Sequence, residues 1–283
     1  MPQDNIAHKA RVLIDCQDAK GLVYQVSKVF YDRGLNIDNN REFVDKEKNK
    51  FFMRTVISGD FSIDEIKEAL QQVLPSDATI RIIEPKSKKI ILMATKESHC
   101  LGDILIRWAS NELEANIEAV ISNHNDLKDL TDRFGIPFIH IGTENLSRSE
   151  HEEKVINTLD TFKFDYIVLA KYMRILSSDF VDCYPRQIIN IHHSFLPAFI
   201  GANPYKQAHT RGVKIIGATA HYVTSDLDEG PIISQDVISV NHRFEWRDMQ
   251  KAGRDVEKIV LARALSLVLN DRVFVYGNKT VIF

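Results

Sequence analysis

The sequence of 283 residues lacks several features that would point to particular classes of protein. Its three cysteines, Cys16, Cys100 and Cys183, lie far apart and form no CxxC pair, which excludes a disulfide framework and a thiolate zinc site. There is no run of about 18 apolar residues, and the first residues lack the charged and apolar segments of a secretory signal. We therefore expect a cytoplasmic protein that does not associate with a membrane.

Glycine and proline are also scarce, at 12 and 8 residues, so low-complexity linkers and turn-rich repeats are not expected. Charge of one sign is missing as well, because 36 Lys and Arg residues face 39 Asp and Glu residues, with a net charge of -3. Such a chain has no overall attraction to a phosphate backbone, and no nucleic-acid partner is expected. Hydrophobic residues make up 44%, which suits a globular protein whose length leaves room for two domains.

Residues 1–85 carry the pattern of a small α/β domain. The apolar spacing predicts six elements: a strand over 8–15, a helix over 20–33, a hairpin of segments 36–44 and 51–57, a helix over 62–74 and a strand over 78–83. The order strand, helix, strand, strand, helix, strand is the split βαβ pattern of ferredoxin-like folds. The first domain is therefore predicted to be a ferredoxin-like βαββαβ unit.

A domain boundary is predicted within the charged stretch 84–89, where a proline and a run of lysines interrupt the apolar pattern. The lysines could bind an anion, but a short solvated linker is the favoured interpretation. Beyond the stretch, strands predicted at 90–94, 116–121, 138–141 and 166–170 alternate with helices at 101–111, 127–134 and 149–162. Residues 86–283 are therefore predicted to form a doubly wound, mostly parallel sheet, which makes the protein α/β.

Two polar segments carry side chains suited to acyl chemistry. Asn190 and His192 alternate with isoleucines, so both project from the same side of one strand, where they could donate to a developing oxyanion. Asp226 and Asp228 lie just before the turn at Gly230, and a carboxylate near His192 would raise the basicity of the imidazole. Satisfied polar groups at a strand end, and solvated or capping acids in a turn, remain open as alternatives.

Other chemistries lack the residues that they require. The segment His151-Glu152-Glu153-Lys154 is followed by Val155, so it is not an HExxH zinc motif. The sequence contains no GxSxG elbow, and none of the cysteines has a catalytic signature. The predicted turn at 95–102 has one glycine and an acid where a phosphate cradle would have several glycines, which argues against a nucleotide or a sugar phosphate there.

Four sequence motifs resemble the signature of the folate-dependent formyltransferase family. They are Asn-Ile-His-His-Ser-Phe-Leu-Pro-Ala-Phe (190–199), Gly-Ala-Thr-Ala-His-Tyr-Val (217–223), Leu-Asp-Glu-Gly-Pro-Ile-Ile (227–233) and Ala-Gly-Arg-Asp-Val-Glu-Lys (252–258). The similarity covers nearly the whole chain, with an ACT-like domain in the first 85 or so residues and a formyltransferase-type domain after it. The closer match is to the members of the family that use water as the formyl acceptor.

The resemblance implies hydrolysis of 10-formyltetrahydrofolate to tetrahydrofolate and formate, in one-carbon metabolism and purine biosynthesis, with no metal and no other cofactor. It implies a catalytic set of Asn190, His192 and Asp228. It also implies folate-binding residues in the segment from Lys171 to Leu176 and in a strand from 221 to 226, namely Met173, Arg174, Leu176, His221, Val223 and Asp226. The similarity of the N-terminal domain to ACT modules implies homo-oligomerisation and an amino-acid effector at Asp18, Gly21 and Leu22.

Two departures from the family pattern bear on the acceptor. Glu97-Ser98-His99-Cys100 replaces the phosphate loop of the transferases that formylate a phosphorylated amine, and His193 replaces a proline after the catalytic histidine. Both point to water as the acceptor. At Asn203 a basic residue would be expected. Formyl transfer to an amine, and folate sensing without catalysis, remain as alternatives, although the second has no need of three intact catalytic groups.

Overall fold

The computed structural model describes residues 8–198 and 203–283. The contacts between Cα atoms divide the chain into two units. The first contains the residues up to Lys86 together with Asp271–Phe274 and Val281–Phe283, and the second contains Ser87–Asn270 and Val275–Thr280. The sequence pattern placed all of 86–283 in one domain and did not anticipate that the last residues would group with the first unit.

The first unit has the predicted ferredoxin-like order. Its elements are β1 (His8–Gln17), α1 (Leu22–Tyr31), β2 (Asn36–Asp45), β3 (Lys50–Gly59), α2 (Ile63–Val73) and β4 (Thr79–Ile83). The strands form an antiparallel sheet in the order β2-β3-β1-β4. Val26 and Phe30 of α1 lie four residues apart on one helix face and pack into the core with Ile14 and Met53 of the sheet. The fold predicted for this part of the chain is confirmed.

The end of the chain covers part of the first unit because its side chains complement those of the sheet. Phe274 packs edge-on against Phe52, with ring centroids 5.7 Å apart. Arg11 donates to the Asp271 carboxylate over 2.9 Å, and Arg54 donates to the Asp271 backbone carbonyl over 3.0 Å. These contacts depend on tertiary pairing between residues more than 200 positions apart, so no local pattern could have predicted them.

The second unit is built around a seven-stranded sheet in the order β11-β10-β9-β8-β5-β6-β7. Its elements are β5 (Lys88–Ala94), α3 (Ser98–Ala109), β6 (Ala115–Ser122), α4 (Lys128–Asp132), β7 (Phe138–His140), α5 (Arg148–Leu159), β8 (Tyr166–Leu169), α6 (Ser178–Cys183), β9 (Ile188–His192), α7 (Pro204–Arg211), β10 (Ile215–Tyr222), β11 (Ile232–Ser239) and α8 (Trp246–Leu269). Strands β5 to β9 pair in parallel, whereas β10 and β11 are antiparallel to their neighbours. The mostly parallel α/β fold is confirmed. A short hairpin, β12 (Val273–Tyr276) and β13 (Lys279–Ile282), follows.

Two expectations need correction. The stretch 84–89 was expected to be a solvated linker, but Lys88 and Lys89 begin β5, and Lys88 is buried. Lys89 is held in the sheet because its backbone N–H donates to the Asp165 carboxylate and its carbonyl accepts from the Asp165 N–H, both over 2.7 Å. The strand expected over 221–226 ends at Tyr222, and the following residues form a loop.

The central parts of the parallel strands are apolar because helices cover both faces of the sheet. Ile91, Met93, Ile167 and Leu169 pack with α5 in one buried cluster. Strands β5, β8 and β9 run in the same direction, so their carboxyl ends and the loops that follow open at the same edge. No helix among the described residues is both long enough and apolar enough to cross a membrane.

Candidate active site

Asn190 and His192 project from β9 on the same side, two residues apart, as the alternation in the sequence predicts. Pairing with β10 places His221 directly opposite Asn190 and Thr219 opposite His192. Cross-strand partners share a face of the sheet, so the two imidazoles and the carboxamide form one polar group. His192 is 6% exposed and His221 is 2% exposed, so most of this group is shielded from solvent.

Asp228 reaches the group from the loop between β10 and β11. Its Oδ1 lies 3.2 Å from His192 Nδ1 and 3.8 Å from His221 Nε2. The residue has φ of +58°, a left-handed conformation that aspartate tolerates better than most residues do. Burial acts to raise the pKa of Asp228, but the hydrogen bond and the charge interaction with His192 outweigh it and leave the pKa below its ordinary value. The group is therefore a carboxylate at neutral pH.

Gly230 lets this loop return closely onto the end of β10. A Cβ at position 230 would lie 1.7 Å from the Tyr222 carbonyl oxygen, which is far inside contact distance. The backbone continues into a hydrogen bond from the Tyr222 N–H to the Pro231 carbonyl over 3.0 Å. The position of the Asp228 carboxylate therefore depends on a glycine two residues later.

The hydrogen bonds of His221 define its tautomer. Its Nδ1 lies 2.9 Å from the Tyr222 carbonyl oxygen, which can only accept, so Nδ1 carries the proton. Nε2 then accepts from Asn190 Nδ2 over 3.2 Å. Burial lowers the pKa of His221, which favours this neutral form. His221 thus fixes the orientation of the Asn190 amide and leaves its oxygen and one N–H for other partners.

A cavity of about 660 Å³ opens beside these groups. Asn190, His192, His221 and Asp228 all line it. His192 Nε2, on the side of the ring away from Asp228, is buried and has no hydrogen-bond partner among the described residues. An unpaired buried nitrogen costs free energy unless a bound molecule pairs with it, so this atom marks the point where a ligand oxygen would bind.

Eight of the nine residues predicted for catalysis and folate binding line the cavity. They are Met173, Arg174, Leu176, Asn190, His192, His221, Val223 and Asp228. The ninth, Asp226, lies on the exposed side of its loop and is not part of the lining, because the strand expected there ends four residues earlier. His221 lines the cavity and also makes hydrogen bonds with Asn190 and with the Tyr222 backbone.

Two further predictions concern single residues. Asn203, where a basic residue was expected, has φ of +56° and precedes α7, and the basic residue nearest to it in the lining is Lys206. In the first unit, Gly21 has φ of +91° at the start of α1 and has open space around it, whereas the Leu22 side chain is buried in the core. The Leu22 side chain is therefore not free to contact an effector, whereas Asp18, three residues before Gly21, is half-buried.

A second polar cluster in the cavity wall was not predicted from the sequence. Glu257 of α8 accepts hydrogen bonds from Tyr205 and His99, and Lys171 lies 3.3 Å from it. The sequence of α8 contained a signal for this cluster, because the spacing of Glu257 from Gly253 and Val256 places it on the buried face of the helix. A charged residue on the apolar face of a helix is unusual, and it needs buried partners.

Comparisons with known proteins agree with this architecture. The family model described as formyl transferase matches residues 88–265, and the model described as ACT domain matches residues 10–75. A formyltetrahydrofolate deformylase of Haemophilus influenzae is 52% identical over 274 residues, which are 97% of this chain and 99% of that protein. A formyltetrahydrofolate deformylase of Bacillus subtilis is 45% identical over 289 residues, covering 99% of this chain and 96% of that protein.

Solved structures also share this fold. The crystal structure of a formyltetrahydrofolate deformylase from Pseudomonas syringae superposes with a TM-score of 0.93 at 43% identity, covering 98% of this chain and 95% of that one. A glycinamide ribonucleotide transformylase from Symbiobacterium toebii superposes with a TM-score of 0.67 at 27% identity, covering 71% of this chain and 96% of that one.

Proposed function

Because the chain belongs to the formyltetrahydrofolate deformylases, we propose that Asn190, His192 and Asp228 are the groups with which it hydrolyses 10-formyltetrahydrofolate. The enzyme is a hydrolase, and its products are tetrahydrofolate and formate. The observation that carries the assignment of residues is the buried, unpaired His192 Nε2, which lines the cavity while Nδ1 of the same ring faces the Asp228 carboxylate.

The first step is attack of water on the formyl carbon. The carbonyl oxygen gains negative charge as the tetrahedral intermediate forms, and donors aimed at this oxygen lower the barrier. His192 in its protonated form donates from Nε2, while Asp228 on Nδ1 stabilises the positive charge of the ring. Asn190 supplies a second donor from its amide, whose orientation is set by the hydrogen bond with His221.

The second step is cleavage of the bond between carbon and N10. The attacking water loses one proton to the Asp228 carboxylate, and Asp228 returns a proton to N10 as the amine departs. Formic acid then loses its remaining proton and leaves as formate, so atoms and charge balance without an oxidant or a reductant. Asp228 suits the relay because its lowered pKa keeps it ionised at the start of each cycle.

The rest of the cavity suits a folate. Met173, Leu176 and Val223 supply an apolar surface for a flat pterin ring, and the loop after β8 that carries the first two is held by the hydrogen bond from the Met173 N–H to Thr95 Oγ1 over 2.9 Å. Arg174 and Lys206 supply positive charge in the lining for the carboxylates of the glutamate tail. We assign no folate contact to Asp226.

We further propose that the enzyme works in the cytoplasm with no metal or other resident cofactor. The named residues already provide a donor to the oxyanion and a carrier for the proton, which are the two services that a metal would otherwise provide. The partners that we propose are the folate substrate, an amino-acid effector bound near Asp18 and Gly21, and a second copy of the chain that associates through the ACT-like domain.

The test of the catalytic proposal is a measurement of formate and tetrahydrofolate from purified protein and 10-formyltetrahydrofolate, with and without an amine acceptor. We expect one formate for each tetrahydrofolate in the absence of the amine. Release of tetrahydrofolate only when glycinamide ribonucleotide is present, with its formyl group recovered on the amine, would instead identify a transferase.

A further inference from the structure

Glu257 is a buried carboxylate held in a pocket that is built for an anion. The residue is 1% exposed, and three donors surround its two oxygens. The Tyr205 hydroxyl donates to Oε1 over 2.5 Å, while His99 Nε2 lies 2.7 Å from Oε2 and Lys171 Nζ lies 3.3 Å from Oε2. A phosphate or carboxylate group of a small molecule would need the same kind of donors.

Two backbone features, at Gly253 and at Lys171, accommodate the side chains of this pocket. Gly253 lies one turn before Glu257 on α8, and a Cβ at this position would come within 2.1 Å of the Tyr205 hydroxyl oxygen. The glycine thus lets the Tyr205 ring lie against α8 and reach the carboxylate. Lys171 has φ of +65°, an unfavourable conformation for lysine, and its side chain is only 3% exposed. Such conformations persist only where the surrounding contacts require them.

The pocket belongs to the wall of the catalytic cavity. Lys171, Tyr205 and Glu257 line the cavity together with His192 and Asp228. Beside the cluster, burial and then the charge of Lys171 lower the pKa of His193, the residue that follows β9, to about 4. A molecule that carried an anionic group into this part of the cavity would have to displace the Glu257 carboxylate or lie beside it.

The charges of the cluster are balanced without any bound molecule. A Glu97 oxygen lies 3.5 Å from His99 Nδ1 and 3.4 Å from Arg254 Nε. The Glu97 carboxylate therefore pairs with the Arg254 cation, as Glu257 pairs with Lys171. The potential ligand atoms of His99, Cys100 and Glu257 also lie within 4.8 Å of one another, a spacing that could hold a metal ion. The Lys171 ammonium already occupies the cationic position beside Glu257, which argues against a metal there.

We propose that Glu257 is a specificity-determining residue. Its carboxylate fills the anion-binding pocket formed by Lys171, His99 and Tyr205, and it thereby excludes anionic acceptor molecules from this part of the cavity. With that pocket filled, the phosphate of an acceptor cannot bind to Lys171, His99 and Tyr205, and water is the nucleophile that remains. The proposal rests on the hydrolytic function proposed above. It predicts that removal of the carboxylate creates a site for a free anion, with Lys171, His99 and Tyr205 as its donors.

The test compares Glu257→Ala with the wild type, using inorganic phosphate as the probe and sodium chloride at equal ionic strength as the reference. We expect phosphate to raise the thermal midpoint of Glu257→Ala and to slow its formate release by about threefold or more at concentrations that leave the wild type unchanged. Glu152→Ala is the matched control, because Glu152 is another buried glutamate, accepts from the Ser177 N–H over 2.9 Å and lies outside the cavity lining.

A purely structural role predicts that both variants lose stability and that neither responds to phosphate, and this result would overturn the proposal. The double variant Lys171→Met/Glu257→Ala should lose the phosphate response, since the counter-charge is gone. If Glu257→Ala does not fold in chloride, it is refolded in phosphate, where recovery supports the proposal and failure overturns it. A wild type that releases no formate would contradict the hydrolytic function itself, which is a separate outcome.

Discussion

Replacement of Asp228 by asparagine is the most direct test of the catalytic assignment. The two side chains have the same shape, and asparagine adopts the left-handed conformation at φ of +58° at least as readily as aspartate. The loop should therefore keep its path onto β10, while the negative charge beside His192 is lost. The variant separates the charge of Asp228 from its position.

The expected loss follows from the distance of 3.2 Å between Asp228 Oδ1 and His192 Nδ1. Two unit charges at this distance attract by about 5 kcal/mol when the effective dielectric constant is about 20. The attraction is fully developed only when His192 carries a proton, as it does in the transition state. Loss of about half of it, roughly 2.7 kcal/mol, lowers kcat by about 10²-fold.

The assay measures kcat and KM for formate release and, separately, the affinity for a folate ligand. We expect kcat of Asp228→Asn to fall by about 10²-fold while folate affinity stays within a few-fold, because the interaction strengthens in the transition state. Asp226→Asn is the matched control, since it removes a carboxylate from the same loop that lies outside the cavity lining. It should retain wild-type kcat.

Two results would refute this reasoning. A steep rise in KM with little change in kcat would show that Asp228 only binds substrate. Equal losses in Asp228→Asn and Asp226→Asn would show that kcat depends on the general charge of the loop, and the contact with His192 would then have no special role.

Four further predictions address other parts of the molecule. Gly230→Ala should lower kcat because its Cβ would collide with the Tyr222 carbonyl and displace the loop, whereas Gly102→Ala, whose Cβ meets only a leucine at 3.8 Å, should be neutral in the same assay. Burial acts to raise the pKa of Glu257, but its bonds with His99 and Tyr205 and the charge of Lys171 outweigh it and lower the pKa to about 2. Its contribution to stability is therefore complete above its ordinary pKa of 4.5 and is lost as pH falls toward about 2, so urea midpoints of Glu257→Gln should lack that part of the acid dependence. Exhaustive chelation should leave formate release unchanged, and recovery of a lost rate by added zinc or iron would contradict the metal-free mechanism. Glycine or methionine should change formate release several-fold, which corresponds to a coupling free energy of about 1 to 3 kcal/mol between the effector site and the active site, and Asp18→Ala should abolish the response. If a screen of amino acids leaves the rate of the full-length protein unchanged, the first domain serves only in assembly.

The secondary structure was largely encoded in local patterns. The apolar spacing of Val26 and Phe30 in α1 depends on burying one helix face, and this requirement is visible in any window of a dozen residues. The alternation of Asn190 and His192 with isoleucines likewise placed both side chains on one side of β9 before any neighbour was known. The resemblance to formyltransferases then singled out Asp228 among the acids of the following loop.

The sequence by itself thus determined the α/β fold, the family and the strand that carries Asn190 and His192, because these depend on hydrophobic periodicity and on motifs of adjacent residues. Only the tertiary structure decided that His221 orients Asn190, that Asp226 faces solvent and that Glu257 meets Lys171, His99 and Tyr205 beside the cavity. The partners of Glu257 come from α3, the loop after β8 and α7, and they meet because the strand order brings the carboxyl ends of β5, β8 and β9 to one edge. Strand order depends on which strands bury one another's surfaces across long sequence separations, and this information is not contained in any single segment of the chain.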